Sequence, residues 1–222
     1  MNSGVRRLDL RADPDADLSE VVRHIREGGV VTYPTETVYG LGAACTTLGV
    51  AAVRTLKGRA DARPFIALVP SIDHVERLGW TPAARELASI FWPGALTLVL
   101  GDPEGCFPAG IRSATTGTVA VRVTSHPVAA RLVGILDAPL ISTSLNRPGE
   151  TPVLSGADAR ALLQRMGADG VWLLDIGTLP ASEASTVVDC STGAEPFVLR
   201  EGAIPVHRLR CAIPEIHEIT TP

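Results

Sequence analysis

Short apolar segments alternate with amphipathic segments along most of this chain. The apolar segments predict buried strands over residues 30–31, 65–69, 95–100, 118–123, 140–144, 171–175, 186–189 and 197–200. Apolar positions spaced three and four apart predict a helix over residues 50–56. The same spacing predicts further helices, each beginning after a residue that can cap it: Asp17, Ser71, Thr81, Ser125 and Ser155.

The order of these elements predicts the fold class. Helices alternate with strands through the first two thirds of the chain, and strands then follow strands. This order predicts an α/β fold, with a twisted mixed parallel and antiparallel sheet and helices packed on it. The sequence shows no linker, internal repeat or low-complexity segment, so we expect a single domain over residues 1–222. The segment after Gly202 has little periodicity and no predicted element.

Composition and charge exclude several classes of protein. The hydrophobic content of 45% and charged content of 20% predict a packed core rather than disorder. A net charge of −4 argues against binding bulk nucleic acid or an anionic membrane through overall charge. No apolar segment approaches ~20 residues and the N-terminus lacks a signal-peptide core, so we expect a cytoplasmic protein with no membrane partner. The cysteines have no metal-binding spacing, and we expect reduced, structural thiols.

Residues 29–64 combine several unusual features. They contain both tyrosines of the protein, Tyr33 and Tyr39, and its only lysine, Lys57. A strand leads into the polar loop Thr35-Glu36-Thr37 and two nearby glycines, and a helix then ends at Lys57-Gly58-Arg59. Strand, polar loop, glycines, helix and clustered cations are the parts of an anion-binding site at a sheet end. The alternative is a capping turn followed by a solvated helix end.

Polar residues also stand at or inside the later strands. Arg122 lies mid-strand, where it either faces solvent, pairs with a carboxylate or points into a polar site. Residues 142–146 (Ser-Thr-Ser-Leu-Asn) end an apolar strand, as a turn or as the edge of a ligand site. Ser185 and Arg200 repeat this theme.

Standard catalytic motifs are absent. The chain has no Walker loop, complete dinucleotide fingerprint, GxSxG or HExxH. No histidine accompanies a nucleophile or carboxylate in a catalytic arrangement, and we interpret all five as non-catalytic: His24, His74, His126, His207 and His217.

Taken together, these segments resemble the YrdC-like family, the threonylcarbamoyl-AMP synthases. The similar segments, in order, are 33–42 (YPTETVYGLG), 57–59 (KGR), 93–98 (PGALTL), 118–123 (TVAVRV), 139–146 (PLISTSLN), 185–189 (STVVD) and 199–204 (LREGAI). They span about residues 17–205 and leave a C-terminal tail of about 206–222. The family pattern KxR…SxN falls on Lys57, Arg59, Ser144 and Asn146. Longer members carry a second C-terminal domain, which we do not expect here.

The resemblance implies a fold, a reaction and a site. It implies a positively lined cavity in the sheet, in which L-threonine, bicarbonate and ATP give threonylcarbamoyl-AMP and pyrophosphate. The product serves the t6A modification of tRNAs that read codons beginning with A. Threonine would be bound by Thr35, Arg122 and Ser144. ATP would be bound by Lys57, Arg59, Thr118, Asn146, Ser185 and Arg200, with Lys57 and Arg59 in the catalytic role and Mg²⁺ on the phosphates rather than on protein side chains.

The chemistry agrees with a site built from cations. Attack of a carbamate carboxylate on the α-phosphorus brings two anions together, so positive charge must offset their repulsion. Carbamate formation needs mainly proximity and exclusion of water, which fits the lack of a catalytic histidine. The long loop 101–117 is a further candidate for closing the site.

The sequence also departs from the family pattern. Leu145 is bulkier than the usual alanine, Arg147 adds a cation beside the nucleotide end and Pro148 follows it. After KGR, Ala60 and Arg63 replace common Pro and Asn residues. These differences bear on the choice of amino acid.

Two other hypotheses remain open. One is a YrdC-like paralogue that adenylates another carbamate or carbamoyl phosphate. The other is a non-catalytic RNA-binding module that uses the basic cavity, against which the aromatic content of 4% counts. A weak tRNA or RNA contact is a separate expectation. The synthase hypothesis adds a downstream tRNA threonylcarbamoyl-transferase machinery as partner.

Overall fold

The structure is a computed structural model that describes residues 4–58, 63–193 and 195–218. Arg59, one of the residues assigned to ATP, lies outside these ranges and has no structural account here. Six helices are described: α1 (Ser19–Arg26), α2 (Thr47–Lys57), α3 (Pro82–Phe91), α4 (Pro127–Leu136), α5 (Gly156–Arg165) and α6 (Val206–Ala212).

The strands described in these ranges form one mixed sheet. They are β1 (Arg6–Asp9), β2 (Val31–Pro34), β3 (Tyr39–Gly42), β4 (Ile66–Leu68), β5 (Leu96–Gly101), β6 (Thr118–Arg122), β7 (Leu140–Ser144), β8 (Trp172–Asp175), β9 (Thr186–Asp189), β10 (Phe197–Arg200) and β11 (His217–Glu218). Their order is β1-β8-β2-β3-β7-β4-β6-β5-β9-β10-β11. The sheet contains parallel pairs such as β4–β6 and β5–β9 and antiparallel pairs such as β3–β7 and β5–β6, which confirms the mixed α/β sheet.

Helices cover both faces of the sheet. The apolar sides of α1 and α4 pack together over strand residues that include Val31, Tyr33 and Leu140. Helices α2, α3, α5 and α6 contribute to the larger core, with strand residues such as Leu41, Leu98 and Val121. Side chains alternate between the faces of a strand, so this arrangement buries the central strands on both sides and explains their continuous apolar runs.

Several helix starts agree with the sequence and others do not. Thr81 and Ser155 accept the predicted capping bonds, from the amides of Ala84 and Asp158. The prediction that Ser125 caps a helix is wrong: His126 holds the cap position of α4, and its Nδ1 accepts from Val128.

The other two predicted caps differ in detail. Asp17 does accept from the amide of Ser19, although Leu18 stands at the cap position of α1. The turn after Ser71 is a short 3-10 helix (Ile72–Val75) without a side-chain cap.

The structure also contains elements that the sequence pattern missed. No strand was predicted at β3, because Gly40 and Gly42 leave no apolar run there. Gly42 is instead required by packing, since a Cβ there would lie 2.2 Å from the carbonyl oxygen of Ile141 on β7. The missed β1 is rich in charge, and the missed α6 buries only Val206 and Leu209.

Candidate active site

A cavity of about 610 Å³ lies against the central strands. Strand register places its floor on one face of the sheet: Gly40 pairs with Ser144 and Ile66 pairs with Ser142. On its other side Ile66 pairs with Ala120 of β6, and Arg122 follows Ala120 by two residues. The side chain of Arg122 therefore lies on the same face. It is the face that α1 and α4 cover elsewhere. The cavity thus extends across the sheet rather than being confined to the strand ends, where the sequence placed it.

The charged residues in the described lining of the cavity are all basic. Four cationic residues contribute to it: Lys57, Arg63, Arg122 and Arg200. Hydroxyl groups are also common, from Thr35, Thr37, Ser142, Thr143, Ser144, Thr151, Ser182 and Ser185. No described residue of the lining is an Asp or Glu. Although the chain is acidic overall, the cavity is a basic site suited to an anionic ligand.

Lys57 is held firmly at one wall of the cavity. It is the last residue of α2 and is 6% exposed, and the helix ends there because Gly58 adopts a left-handed conformation. Its Nζ donates to the Ser144 carbonyl at 2.6 Å and to Asn146 Oδ1 at 3.0 Å. The ammonium is therefore fixed before any ligand binds.

Asn146 completes this arrangement. Its Oδ1 also accepts from Ser144 Oγ at 2.6 Å, and its Nδ2 donates to the Glu150 carbonyl at 2.7 Å. Because the Ser144 hydroxyl donates to Asn146, it can offer a ligand only its lone pairs. In this arrangement it is an acceptor for an ammonium or hydroxyl rather than a donor to a carboxylate.

Arg122 stands at the opposite wall and is differently held. Arg122 as a whole is 4% exposed. Its Nη2 lies 3.7 Å from Glu36 Oε2, which is beyond hydrogen-bond range. Within the described part of the chain, Nε of Arg122 is buried and has no hydrogen-bond partner. The interpretation that Arg122 faces solvent is therefore wrong, and the residue lines the cavity instead.

Thr35 uses its hydroxyl within its own turn. Its Oγ1 donates to the Val38 carbonyl at 2.7 Å and accepts from the amides of Thr37 and Val38. This geometry is a hydroxyl-closed turn between β2 and β3, so the capping-turn interpretation of this loop holds alongside its place in the cavity. Thr37, which the sequence did not single out, also lines the cavity and is 4% exposed.

Ser185 and Arg200 form a third group of contacts. Arg200 donates from Nη2 to the Ser185 carbonyl at 2.8 Å, and Ser185 Oγ lies 2.9 Å from Thr97 Oγ1. Burial, and then the positive charge of Arg122, lower the pKa of Arg200. Two arginines therefore act on each other across the cavity, and an anion between them would relieve the repulsion.

The structure thus brings most of the sequence-predicted site residues around one cavity. Thr35, Lys57, Arg122, Ser144, Asn146, Ser185 and Arg200 all line it. Thr118 does not line the cavity. It faces the same side of the sheet, but it is the first residue of β6, level with Pro64. Its hydroxyl forms a hydrogen bond with the hydroxyl of Thr116.

Three further expectations need correction. Leu145 is fully buried in the core and does not face the site. Arg147 is turned away, and its Nη2 donates to the carbonyl of Arg165 at the end of α5. None of residues 102–117 lines the cavity, because this loop packs behind it, where Gly110 accepts a backbone bond from Phe65.

The segment after β7 supplies lining residues that sequence reasoning missed. They are Gly149, Thr151, Pro152 and Leu154; Pro148, which departs from the family pattern, also lines the cavity. These side chains carry little chemistry of their own, so no motif could have found them. Only their position directly after the polar strand end at residues 142–146 pointed to them.

Both tyrosines are structural. Tyr33 donates to the Ile141 carbonyl, and Tyr39 donates to the Gly177 carbonyl while accepting from the amide of Ile176. Burial raises the pKa of Tyr33 above its usual range and the pKa of Tyr39 to about 12. Neither residue is a candidate acid or base near neutral pH.

The described residues offer little other chemistry. None of the five histidines lines the cavity. Within residues 4–58, 63–193 and 195–218 there is no group of three or more metal-ligating His, Cys, Asp or Glu side chains. Across the same ranges, no helix is long and apolar enough to cross a membrane.

The chain is similar in sequence to a known protein family and its members. Residues 23–202 match the sequence profile of the Sua5/YciO/YrdC family, whose description reads "Telomere recombination". The threonylcarbamoyl-AMP synthase of Thiobacillus denitrificans is 39% identical over 180 residues, which are 77% of this chain and 89% of that protein. The threonylcarbamoyl-AMP synthase of Bacillus subtilis is 34% identical over 210 residues, 91% of this chain.

A solved structure agrees with these relatives. The crystal structure of Pyrococcus abyssi Sua5 complexed with L-threonine superposes with a TM-score of 0.83 at 32% identity and covers 96% of this chain. This chain spans 62% of that protein and 58% of the Bacillus subtilis relative.

Proposed function

Because this chain belongs to the Sua5/YciO/YrdC family, we propose that it is a threonylcarbamoyl-AMP synthase, which makes threonylcarbamoyl-AMP and pyrophosphate from L-threonine, bicarbonate and ATP. Relatives that carry this name are 34% and 39% identical to it. A structural neighbour has been crystallised with L-threonine. The product would pass to a transferase that uses it for the t6A modification of tRNA.

The single observation that carries this proposal is the charge of the cavity. Four cations and no described carboxylate line a space of about 610 Å³, which is large enough for a nucleotide-sized ligand. The reaction joins a carbamate to a triphosphate, and both are anions. Fixed positive charge in the cavity would stabilise the crowded anionic transition state without reorganisation during the reaction.

The lining residues divide between the two substrates, although Ser144, on the amino-acid side of this division, lies beside Lys57. Arg122 has free donors for the carboxylate of threonine, and Ser144 offers lone pairs for its ammonium or hydroxyl. Lys57, Ser185 and Arg200 supply the cations and polar groups for the nucleotide, with Lys57 already fixed by Asn146. Arg59 and Thr118 remain assignments from the family pattern.

Magnesium fits this site only as part of the nucleotide. The lining provides hydroxyls and cations but no described carboxylate, which is the ligand that Mg²⁺ prefers from proteins. We propose that Mg²⁺ enters on the ATP phosphates, where it would offset their charge. We assign no protein ligand to it.

Pyrophosphate release from ATP and Mg²⁺, with threonine and bicarbonate omitted in turn, tests the proposal. We expect release that requires both, with serine a poor substitute for threonine. Release without threonine, or only with carbamoyl phosphate, would favour a paralogue that adenylates another carbamate. No release under any condition would contradict an adenylating enzyme and favour the RNA-binding alternative.

A further inference from the structure

We propose that Glu36 is a positioning residue that holds the guanidinium of Arg122 for the carboxylate of the amino-acid substrate; this rests on the proposed function. Glu36 lies between Thr35 and Thr37, which both line the cavity, but its own side chain does not. Its side chain is 15% exposed and stands behind Arg122, whose side chain is 5% exposed. It is thus placed to act on Arg122 without touching the ligand.

The carboxylate of Glu36 is itself held in place. Thr124 Oγ1 donates to Glu36 Oε2 at 2.7 Å, and the same hydroxyl accepts from the amide of His126 at 3.2 Å. Thr124 lies two residues beyond Arg122, the last residue of β6, so the orientation of Glu36 is set by the segment that directly follows its partner. The chain of contacts runs from the start of α4 through Thr124 and Glu36 to Arg122.

The distance between the two charges explains how this pair would work. A buried guanidinium is costly without a nearby opposite charge, and Glu36 provides one at 3.7 Å from Nη2. That distance is too long for a hydrogen bond, and within the described residues Arg122 Nε and Glu36 Oε1 have no hydrogen-bond partner. Glu36 therefore offsets the charge of Arg122 while leaving its donors free. A substrate carboxylate can then bind the planar guanidinium in a bidentate manner.

The neighbouring charges strengthen this inference. Arg200 faces Arg122 across the cavity, and the two repel each other. His126, which packs near Glu36, is disfavoured in its charged form because burial lowers its pKa. Glu36 thus lies beside Arg122 on the side away from Arg200's repulsion, and its loss would leave Arg122 to be displaced by Arg200.

Binding and turnover of Glu36→Gln test this proposal. The variant keeps the size of the side chain and an acceptor for Thr124 but removes the charge. We expect the KM for threonine to rise about tenfold, with the KM for ATP changed less than about twofold, because a small displacement of a binding group is costly. Calorimetry should show weaker L-threonine binding and a smaller preference for threonine over threoninol, which lacks the carboxylate. Glu20→Gln, on the exposed surface of α1, is the matched control.

A second pair of variants covers the case in which Glu36→Gln does not fold. Thr124→Ser keeps the hydroxyl that donates to Glu36, and Thr124→Val removes it. We expect threonine binding close to that of the unchanged protein for Thr124→Ser and weaker binding for Thr124→Val. Equal threonine affinity in the two variants would contradict the positioning role, as would unchanged or tighter threonine binding by Glu36→Gln.

The two proposals fail in different ways. If the unchanged protein binds threonine but releases no pyrophosphate, the synthase proposal fails and calorimetry still tests Glu36. If turnover is as proposed but the variants bind threonine and discriminate against threoninol as before, only the role of Glu36 fails. If the unchanged protein does not bind threonine at all, both fail.

Discussion

Lys57 and Arg122 face the same cavity and are held in opposite ways. The ammonium of Lys57 donates to the Ser144 carbonyl and to Asn146 at hydrogen-bond distance. The guanidinium of Arg122 has an opposite charge nearby, but at 3.7 Å, and its Nε has no partner within the described residues. One wall is therefore built by internal hydrogen bonds, whereas the other is balanced in charge and retains free donors.

This difference separates two ways of binding an anion. A fixed ammonium acts as a preorganised charge, which needs no rearrangement when phosphate charge develops. A guanidinium with free donors gains its hydrogen bonds only when a planar anion arrives, so it recognises the shape of a carboxylate as well as its charge. We expect substitutions on the Lys57 side to affect turnover and those on the Arg122 side to affect the requirement for the amino acid.

The largest effect is expected from Lys57→Ala. Removing the fixed ammonium should lower ATP-dependent pyrophosphate release at least about a hundredfold, because one preorganised electrostatic contact is worth that much in a dry site. Steady-state kinetics and circular dichroism would measure activity and fold together. Arg147→Ala is the matched control, since that side chain is directed toward Arg165, and it should behave like the unchanged protein. Near-normal turnover of Lys57→Ala would contradict its role.

Arg122→Ala should have the next largest effect. We expect the KM for threonine to rise about 10- to 100-fold and the KM for ATP to change far less, because a charge-assisted bond to the carboxylate is lost. Titration of each substrate at saturating levels of the other would show the split. Equal increases for both substrates would mean that the two walls are not specialised.

Asn146→Ala tests the Lys57 wall without removing Lys57 itself. Loss of Oδ1 removes one of the acceptors that fix Lys57 and releases the hydroxyl of Ser144. We expect the KM for ATP to rise about tenfold while Lys57 remains present but less ordered. ATP titration at constant threonine is the measurement. An effect on threonine alone would place Asn146 on the amino-acid side.

Leu145→Ala should have the smallest effect on activity and a clear effect on stability. Leu145 is fully buried, so its truncation should lower the free energy of unfolding by about 2–5 kcal/mol. The preference for threonine over serine should be unchanged, because this side chain does not line the cavity. Urea denaturation and substrate competition would measure the two, with the exposed Leu48→Ala as control. A change in amino-acid preference would contradict the core role of Leu145.

The sequence allowed more of the fold to be predicted than of the site. Apolar runs marked β7, β9 and β10 at their observed bounds because these strands are bounded by polar or turn residues. The same logic missed β3, because Gly40 and Gly42 interrupt its apolar run. Glycine is needed at these two positions for steric reasons, because Tyr33 and the Ile141 carbonyl approach them from neighbouring strands. A contact between strands that are distant in sequence leaves no local signal.

In the site, the charged and strongly polar side chains were the residues that the sequence allowed us to predict. Lys57, Arg122 and Asn146 were rare or out of place for their element, and all three line the cavity. The orientation of neighbouring residues was not predictable: Leu145 and Arg147 stand beside Asn146 in sequence but point into the core and toward α5. Which way a side chain points after a strand ends depends on backbone geometry that composition does not encode.

The register of the sheet has a consequence for how the cavity comes into being. The strands around it are joined by pairings between distant parts of the chain, such as Gly40 with Ser144 and Leu96 with Thr186. Pairings of this kind form late, because closing a long loop costs entropy before any contact is gained. No partial fold that lacks β7 or β9 can bring Lys57 together with Ser144, or Arg122 together with Ser185. We therefore expect ligand binding to return only at the last stage of refolding, which makes the ligand itself a reporter of the completed sheet.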